Sequence, residues 1–431
     1  MSGERVAVQL GDVALIQTGF PFKSSSYSDD PSGPKLLRGD NVAQGQVRWD
    51  GVKRWPPSET NGLEQYWLEQ GDVILAMDRP WIEAGLKYCA ITRDDLPCLL
   101  VQRVARLRGQ ERLDTGFLKY VIGSVAFTQH VLAVQTGTAV PHISTKQIQS
   151  FKFDLPPLSE QRAIAAALGA LDDKIELNRK MNATLEAMAR ALFRDWFTGF
   201  GPTRAKMAGR APTLSPDLWS LFPDRLDDEG KPEGWEEKPL DEIADFLNGL
   251  ALQKFPGENE TDSLPVIKIA ELRNGVTANS NRASRKLPSQ YIIRDADFLF
   301  SWSGSLLAKF WTGGEGALNQ HLFKVTSDLY PAWFFSEWVQ HHLEAFQIIA
   351  ASKATTMGHI QRGHLKAAKT ICPPDHVIER MGDMMAPLID RIIHNELESR
   401  TLAQTRDLLL PRLMSGELRV AEAAQMVEVA Q

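Results

Sequence analysis

The chain has 431 residues, 43% hydrophobic and 24% charged, which is enough for two or three domains with real cores. A formal net charge of −6 excludes a polybasic binder that works by bulk charge, but leaves open where individual charges sit. Cys89, Cys98 and Cys372 are too few and too scattered for a disulfide framework or a zinc knuckle, and no run approaches the roughly 18 apolar residues of a membrane span.

The opening segment, MSGERVAVQLGDVALIQ, carries charges where a secretion signal needs an apolar core, so a reduced, cytoplasmic compartment is expected. Residues 1–155 mix short apolar runs with Gly, Pro and Asn turns. Asp72-Val-Ile-Leu-Ala and Leu99-Leu-Val read as strands, and Phe117–Val134 as helix, which makes an α/β-mixed domain. Residues 156–200 read as one long helix with Ser159 as its N-cap. Its seam runs Ile164, Leu168, Leu171, Ile175, Asn178, Asn182, Leu185, Ala189, Leu192, Trp196, an unbroken 4-3 heptad spacing. Pro, Gly and charges dominate 201–234, predicting an extended connector with Trp219 and Phe222 as local anchors. A second α/β-mixed domain follows over 235–372, with strands at Phe298-Leu-Phe-Ser-Trp and His321-Leu-Phe-Lys-Val and a helix over Ala332–Ala351. Residues 373–415 repeat the long helix, with Pro387 expected to interrupt it. The seam is Met381, Met385, Leu388, Ile392, Asn395, Ser399, Leu402, Arg406, Leu409, Leu413, and 416–431 is a tail.

The two halves repeat each other. Aligning LPPLSEQR (155–162) with ICPPDHVIER (371–380) on Pro-Pro gives an offset of 217, which also pairs Thr138 with Thr355, His142 with His359 and Ile143 with Ile360. Earlier segments match in the same order at larger offsets. Leu10-Gly-Asp-Val-Ala-Leu parallels Leu240-Asp-Glu-Ile-Ala-Asp, Leu37-Arg-Gly-Asp-Asn-Val parallels Ile267-Lys-Ile-Ala-Glu-Leu, Gly71-Asp-Val-Ile-Leu parallels Ala296-Asp-Phe-Leu-Phe, and Val101-Gln-Arg parallels Asn319-Gln-His. The expectation is an α+β protein: two α/β-mixed domains separated by two long antiparallel helices that form a coiled coil about an internal pseudo-twofold. Asn178 and Asn395 would fix the register at a cost in stability. Such an arrangement would touch two DNA sites about 34 Å apart, roughly one helical turn.

Enzyme motifs fail on context. Phe197–Gly201 spells FTGFG, the FxGxG pattern of a cofactor loop, but follows a helix instead of a strand. Asp217 with Glu229 and Lys231 matches the spacing of a metal-dependent nuclease on a segment without strand pattern. No GxxxxGK[ST], HExxH or GxSxG occurs, and no catalytic or metal-ligating residue is assigned. Binding is better supported. No carboxylate lies between Asp114 and Asp154, or between Glu344 and Asp375, whereas Lys and His recur in both windows and Arg362 joins them in the second. Such stretches suit a polyanion. Candidate DNA contacts are Arg38, Asn41, Gln102, Arg103, Thr138, His142 and Lys146 in the first half. In the second they are Lys268, Arg273, Asn319, Gln320, Lys353, Thr355, His359 and Arg362. The alternative is a helical scaffold or adaptor that binds protein and not DNA.

LPPLSEQRAIAAALGALDDKIELN, ALFRDWFTGFGPTRAKM, LFPD and PEGWEEKPLDEIA resemble the central region of type I restriction-modification specificity subunits, and LLLPRLMSGELRV (408–420) resembles their C-terminal conserved segment. Cys372 departs from the usual aliphatic residue before Pro-Pro, as does Pro387 within the helix. The resemblance implies a non-catalytic subunit whose two target-recognition domains read a bipartite, asymmetric sequence in double-stranded DNA. It also implies helices that act as spacer and as docking surface for two modification subunits, with restriction subunits joining them. S-adenosylmethionine, ATP and Mg would then sit on partners and not on this chain.

Overall fold

A computed structural model describes residues 5–137, 139–257, 259, 262–352, 358–423 and 426. Three candidate positions, Thr138, Lys353 and Thr355, lie outside them, as does most of the tail beyond 423. The chain divides into two compact units, Met1–Lys174 with Thr401–Gln431, and Ile175–Arg400.

In the first unit the apolar run Val73–Ala76 becomes a strand with every residue buried. It lies between antiparallel neighbours, Tyr88–Ala90 on one side and Val104–Gly109 on the other, and Ala14–Thr18 completes the sheet beside the latter. A parallel pair, Lys35–Leu37 with Cys98–Leu100, forms a second, smaller layer. Val6–Gln9 pairs with Lys152–Leu155, so both ends of the domain meet where the chain enters the first long helix. Two helices capped by Asp114 and Ser124, Thr115–Ile122 and Val125–Val134, supply further core through Phe117, Leu118 and Phe127.

The second unit repeats this plan. Phe298–Ser301 is again wholly buried, between Ala308–Phe310 and Leu322–Thr326, with Asp245–Asn248 at the edge. Ser263–Ile267 pairs in parallel with Gly316–Leu318, to which Arg282–Ser284 and Ile292–Ile293 add two strands absent from the first unit. Glu236–Pro239 pairs with Lys369–Cys372. The backbone agrees even where residue types do not. Ala296 stands in the left-handed region at φ 72°, where its counterpart is Gly71 at φ 89°. Packing partners also exchange size. Gly116 faces Ala165 in the first unit, whereas Trp333 faces Gly382 at the matching positions of the second.

Two helices of 36 and 41 residues, Leu158–Phe193 and Asp375–Ser415, each contribute one end to each unit. At about 1.5 Å per residue they run roughly 54 and 62 Å. The helix passes through Pro387 unbroken, contrary to the expected interruption; the missing amide lies on an exposed face. Inside each unit the two helical stretches run antiparallel. In the first, Ile164, Leu168 and Leu171 are fully buried with Leu402, Leu409 and Leu413, each worth about 1.5–3 kcal/mol of burial. Arg5 closes this end: it donates to the Leu413 carbonyl at 3.0 Å and pairs with Glu160 at 2.5 Å. In the second unit Asn395 donates to Asn182 Oδ1 at 2.8 Å, while Asn178 Nδ2 reaches the Asn395 carbonyl at 3.3 Å and Ser399 Oγ at 3.2 Å. Three amides, two of them expected, thus form a polar link in the seam. Leu185, Leu192 and Leu388 are only partly covered, and Ile175 is half-buried, whereas Ile389 and Ile392 are buried. The buried stripe of the second helix has rotated from Leu388 toward Ile389, because here the helix packs on its domain as well as on its partner.

The connector is not extended. Gly201–Met207 and Pro216–Ser220 are helical, Phe222 is buried with Trp196, Phe197 and Trp235, and Trp219 is half-buried under the Lys206 ammonium. Its aromatics have enough apolar surface to fold the segment onto the second unit. Among the described residues, no single helix is long and apolar enough to cross a membrane.

Candidate nucleic-acid interface

In the first unit the strands Cys98–Leu100 and Val104–Gly109 are joined by a turn that projects Gln102 and Arg103, both exposed. Gly19 holds this turn in place. A Cβ there would stand 2.3 Å from the Val101 carbonyl oxygen, so only glycine permits the approach, and the Gln102 amide donates to the Phe20 carbonyl at 2.9 Å. Arg103 itself takes a left-handed φ of 68°, a strained conformation for a residue other than glycine, at the rim of a cleft. The cleft, about 300 Å³, is lined by Thr18, Met77, Gln102, Arg103, His142 and Thr145. His142 Nδ1–H donates to Asp78 Oδ1 at 2.8 Å, and the Arg103 guanidinium stands 3.6 Å from the same oxygen. The result is an anchored cation flanked by an imidazole, an amide and hydroxyls.

The second unit builds the same turn. A Cβ on Gly249 would lie 2.2 Å from the Asn319 carbonyl oxygen, and the Gln320 amide donates to the Leu250 carbonyl at 2.9 Å. The adjoining cleft, about 260 Å³, is lined by Gln253, Lys268, Ile269, Ala270, Gln320 and His321. Where the first unit has Arg103 held by Asp78, this one has His321, whose Nδ1 lies 3.0 Å from Ser303 Oγ. Gln320 Nε2 is 3.3 Å from the other ring nitrogen. Where the first has Met77, the second has Trp302, which donates to Asn248 Oδ1 at 2.8 Å. His142 and His359 occupy equivalent places, bridged to Asp78 and to Ser303 respectively.

Gln102, Arg103 and His142 therefore come together, as do Lys268 and Gln320, with His359 beside Trp302 on the same turn structure. Lys146 and Arg273 are exposed on the short helices Thr145–Gln149 and Ile269–Asn274. Arg362 donates to the Phe246 carbonyl at 3.1 Å and lies over the Phe323 ring. Arg38 is half-buried, with its Nε enclosed. Two candidates require correction. Asn41 is 2% exposed; it accepts from the Arg38 amide at 3.1 Å and donates to the Arg48 carbonyl at 2.9 Å. Glu271 does the same for Lys268 at 3.1 Å, so this position holds the loop in both units. Asn319 is 4% exposed and accepts from the His321 amide at 3.2 Å, so it holds the turn while lining the base of the cleft.

Sequence reasoning missed Asp78, His321 and Trp302. His321 was visible as the counterpart of Arg103 in the repeat; Asp78 and Trp302 carry no local signal, because strand pairing brings them to the cleft. Lys87, near Asp78, is held below the ordinary lysine range by burial, which Asp40 and Asp78 only partly offset. Among the described residues no group of three or more His, Cys, Asp or Glu stands ready for a metal. In the nuclease-like spacing, Lys231 is paired with Asp227 and Glu229 on an exposed turn.

Known proteins match this chain along most of its length. The family model for the type I restriction modification DNA specificity domain matches residues 4–187 and again 232–401. The MjaIX specificity subunit of Methanocaldococcus jannaschii is 25% identical over 366 residues, 82% of this chain and 79% of that protein. The MjaVIII specificity subunit of the same organism is 34% identical over 193 residues, 44% of this chain and 45% of the relative. Among solved structures, the S subunit of a type I restriction-modification system from M. genitalium aligns with a TM-score of 0.52 at 13% identity, covering 95% of this chain and 96% of that one. That likeness is one of fold.

Proposed function

The chain belongs to the type I restriction-modification DNA specificity family, and from that premise we propose that each unit reads one half of a bipartite, asymmetric DNA target. DNA-sequence recognition is the family's role, which sets aside the adaptor alternative. The observation that carries the finer reading is the pair of clefts: one backbone, built twice around Gly19 and Gly249, presenting Gln102-Arg103 in one unit and Gln320-His321 in the other. An arginine steadied by a carboxylate suits guanine O6 and N7 or a phosphate, whereas glutamine suits adenine N6 and N7. Unlike side chains on like turns make unlike half-sites.

On the same reading the chain is non-catalytic by itself. Two modification subunits dock along the long helices and restriction subunits join them in the cytoplasm; S-adenosylmethionine, ATP and Mg belong to those partners. Purified alone, the chain should neither methylate nor cut DNA, and turnover without partners would overturn this. Exchanging 235–372 for the matching domain of another family member should change one half-site only. A change in both halves, or in neither, would count against one reader per unit.

A further inference from the structure

The second unit contains a cavity of about 290 Å³ between its helices and its sheet, floored by Phe298, Ile389 and Ile392. Glu337, only 7% exposed, lines it, and Glu337 Oε2 has no hydrogen-bond partner. Burial pushes this carboxyl up to about 7; Arg190 opposes the rise and Glu186 adds to it. The other charges facing the cavity are already matched, Glu186 with Arg190 at 3.6 Å and Glu396 with Lys309 at 3.6 Å. An enclosed carboxyl without a cation is costly, because the desolvation is not repaid.

The first unit displays the filled version of the same place. There Asp172 accepts from Tyr120 Oη at 2.8 Å, pairs with the Lys119 ammonium at 2.5 Å and with the Arg406 guanidinium at 2.8 Å. Applying the repeat offset and the strand registers, Lys119 corresponds to Ser336, Tyr120 to Glu337, Arg406 to Ala189 and Tyr88 to Ala308. Four large side chains, two of them cationic, have become small or acidic. Asp172 itself corresponds to Ile389, so the acid of the second unit stands where the first has a phenol, and the cavity opens beside Ala308 and Ser336 with no cation in the places of Lys119 and Arg406.

We propose that this cavity is a binding site for an alkylammonium or alkylguanidinium group, supplied either by a free amine or by a lysine or arginine side chain of a partner subunit. The apolar floor takes the alkyl stem and Glu337 takes the charge. Occupancy needs the carboxylate, so affinity should fall about tenfold or more from pH 8 to pH 5.5 as Glu337 protonates, with Glu186, Arg190, Lys309 and Glu396 as the other titratable groups facing it.

The test is calorimetric titration of the full chain with n-butylguanidine and n-butylamine. The expected result is saturable binding of one molecule per chain, weakened at least about tenfold by Glu337→Gln and abolished by Ala308→Tyr, which restores the bulk present in the first unit. Either variant alone suffices should the other fail to fold. Absence of saturable binding, or binding unchanged in both variants, would overturn the proposal. Repeating the titration on the assembled complex separates the sources: a blocked site identifies a partner side chain, and an open one a free amine.

Discussion

The two units share one backbone plan, with two strands added in the second, and use their side chains differently. Where the domain meets the long helices, the first unit buries a satisfied network of Asp172, Lys119, Tyr120 and Arg406, while the second leaves Glu337 unpartnered over a cavity. At the cleft turn the first offers an exposed arginine and the second a half-buried histidine. The difference teaches that the duplicated frame is maintained by glycines, strand pairing and apolar packing, which leaves both the turn and the helix-facing layer free to diverge.

The comparison breaks most sharply at the buried charges. Asp172→Ala should destabilise the chain by about 3 kcal/mol, since Lys119 loses its carboxylate and Arg406 keeps only Asp407. Glu337→Gln should stabilise it or leave it unchanged; chemical denaturation of both variants checks the contrast. Their pH dependences also oppose each other. Burial raises the Asp172 carboxyl, but Lys119 and Arg406 outweigh it and hold it below the ordinary value, so its contribution is present near neutrality and lost as pH falls through that lowered value. Glu337 binds its proton more tightly folded than unfolded, so it costs stability increasingly from about pH 4.5 to about 7, and no further above. The advantage of Glu337→Gln should therefore grow over that window and then level off.

Next in size is the seam. Asn395→Ala removes the bond to Asn182 and should cost about 1–3 kcal/mol in a denaturant titration. Smallest is the exchange at the left-handed position. Ala296→Gly should gain up to about 1 kcal/mol and Gly71→Ala should lose about as much, because no atom lies within 4 Å of an added Cβ at Gly71 and only backbone strain is at issue. Equal and opposite shifts in thermal midpoint would sharpen the equivalence of the two units; shifts of the same sign would break it.

Much of this frame was legible in the residues. Gly-Asp-Val-Ile-Leu against Ala-Asp-Phe-Leu-Phe, the Pro-Pro pairs and the heptad seam are local patterns set by backbone geometry and burial, and they located the sheets and helices of both units. The site was legible only in part. Gln102, Arg103 and Gln320 stand out as polar residues at turns, but an asparagine that holds its own loop, such as Asn41, looks the same in a sequence as one that faces solvent. Asp78 reaches its cleft through strand pairing across more than sixty positions. The cavity at Glu337 was not legible at all, since it arises from four substitutions scattered over the first long helix, a strand and the domain helix Ala332–Ser352.

The central claim is that two unlike readers share one chain, and methylation mapping of the host genome tests it most directly. Comparing cells with the chain, without it, and with Arg103→Ala should show one bipartite motif of two unlike half-sites that is lost without the chain and relaxed in a single half by the variant. Loss of no motif, loss of a contiguous palindrome, or relaxation of both halves by Arg103→Ala would contradict the account.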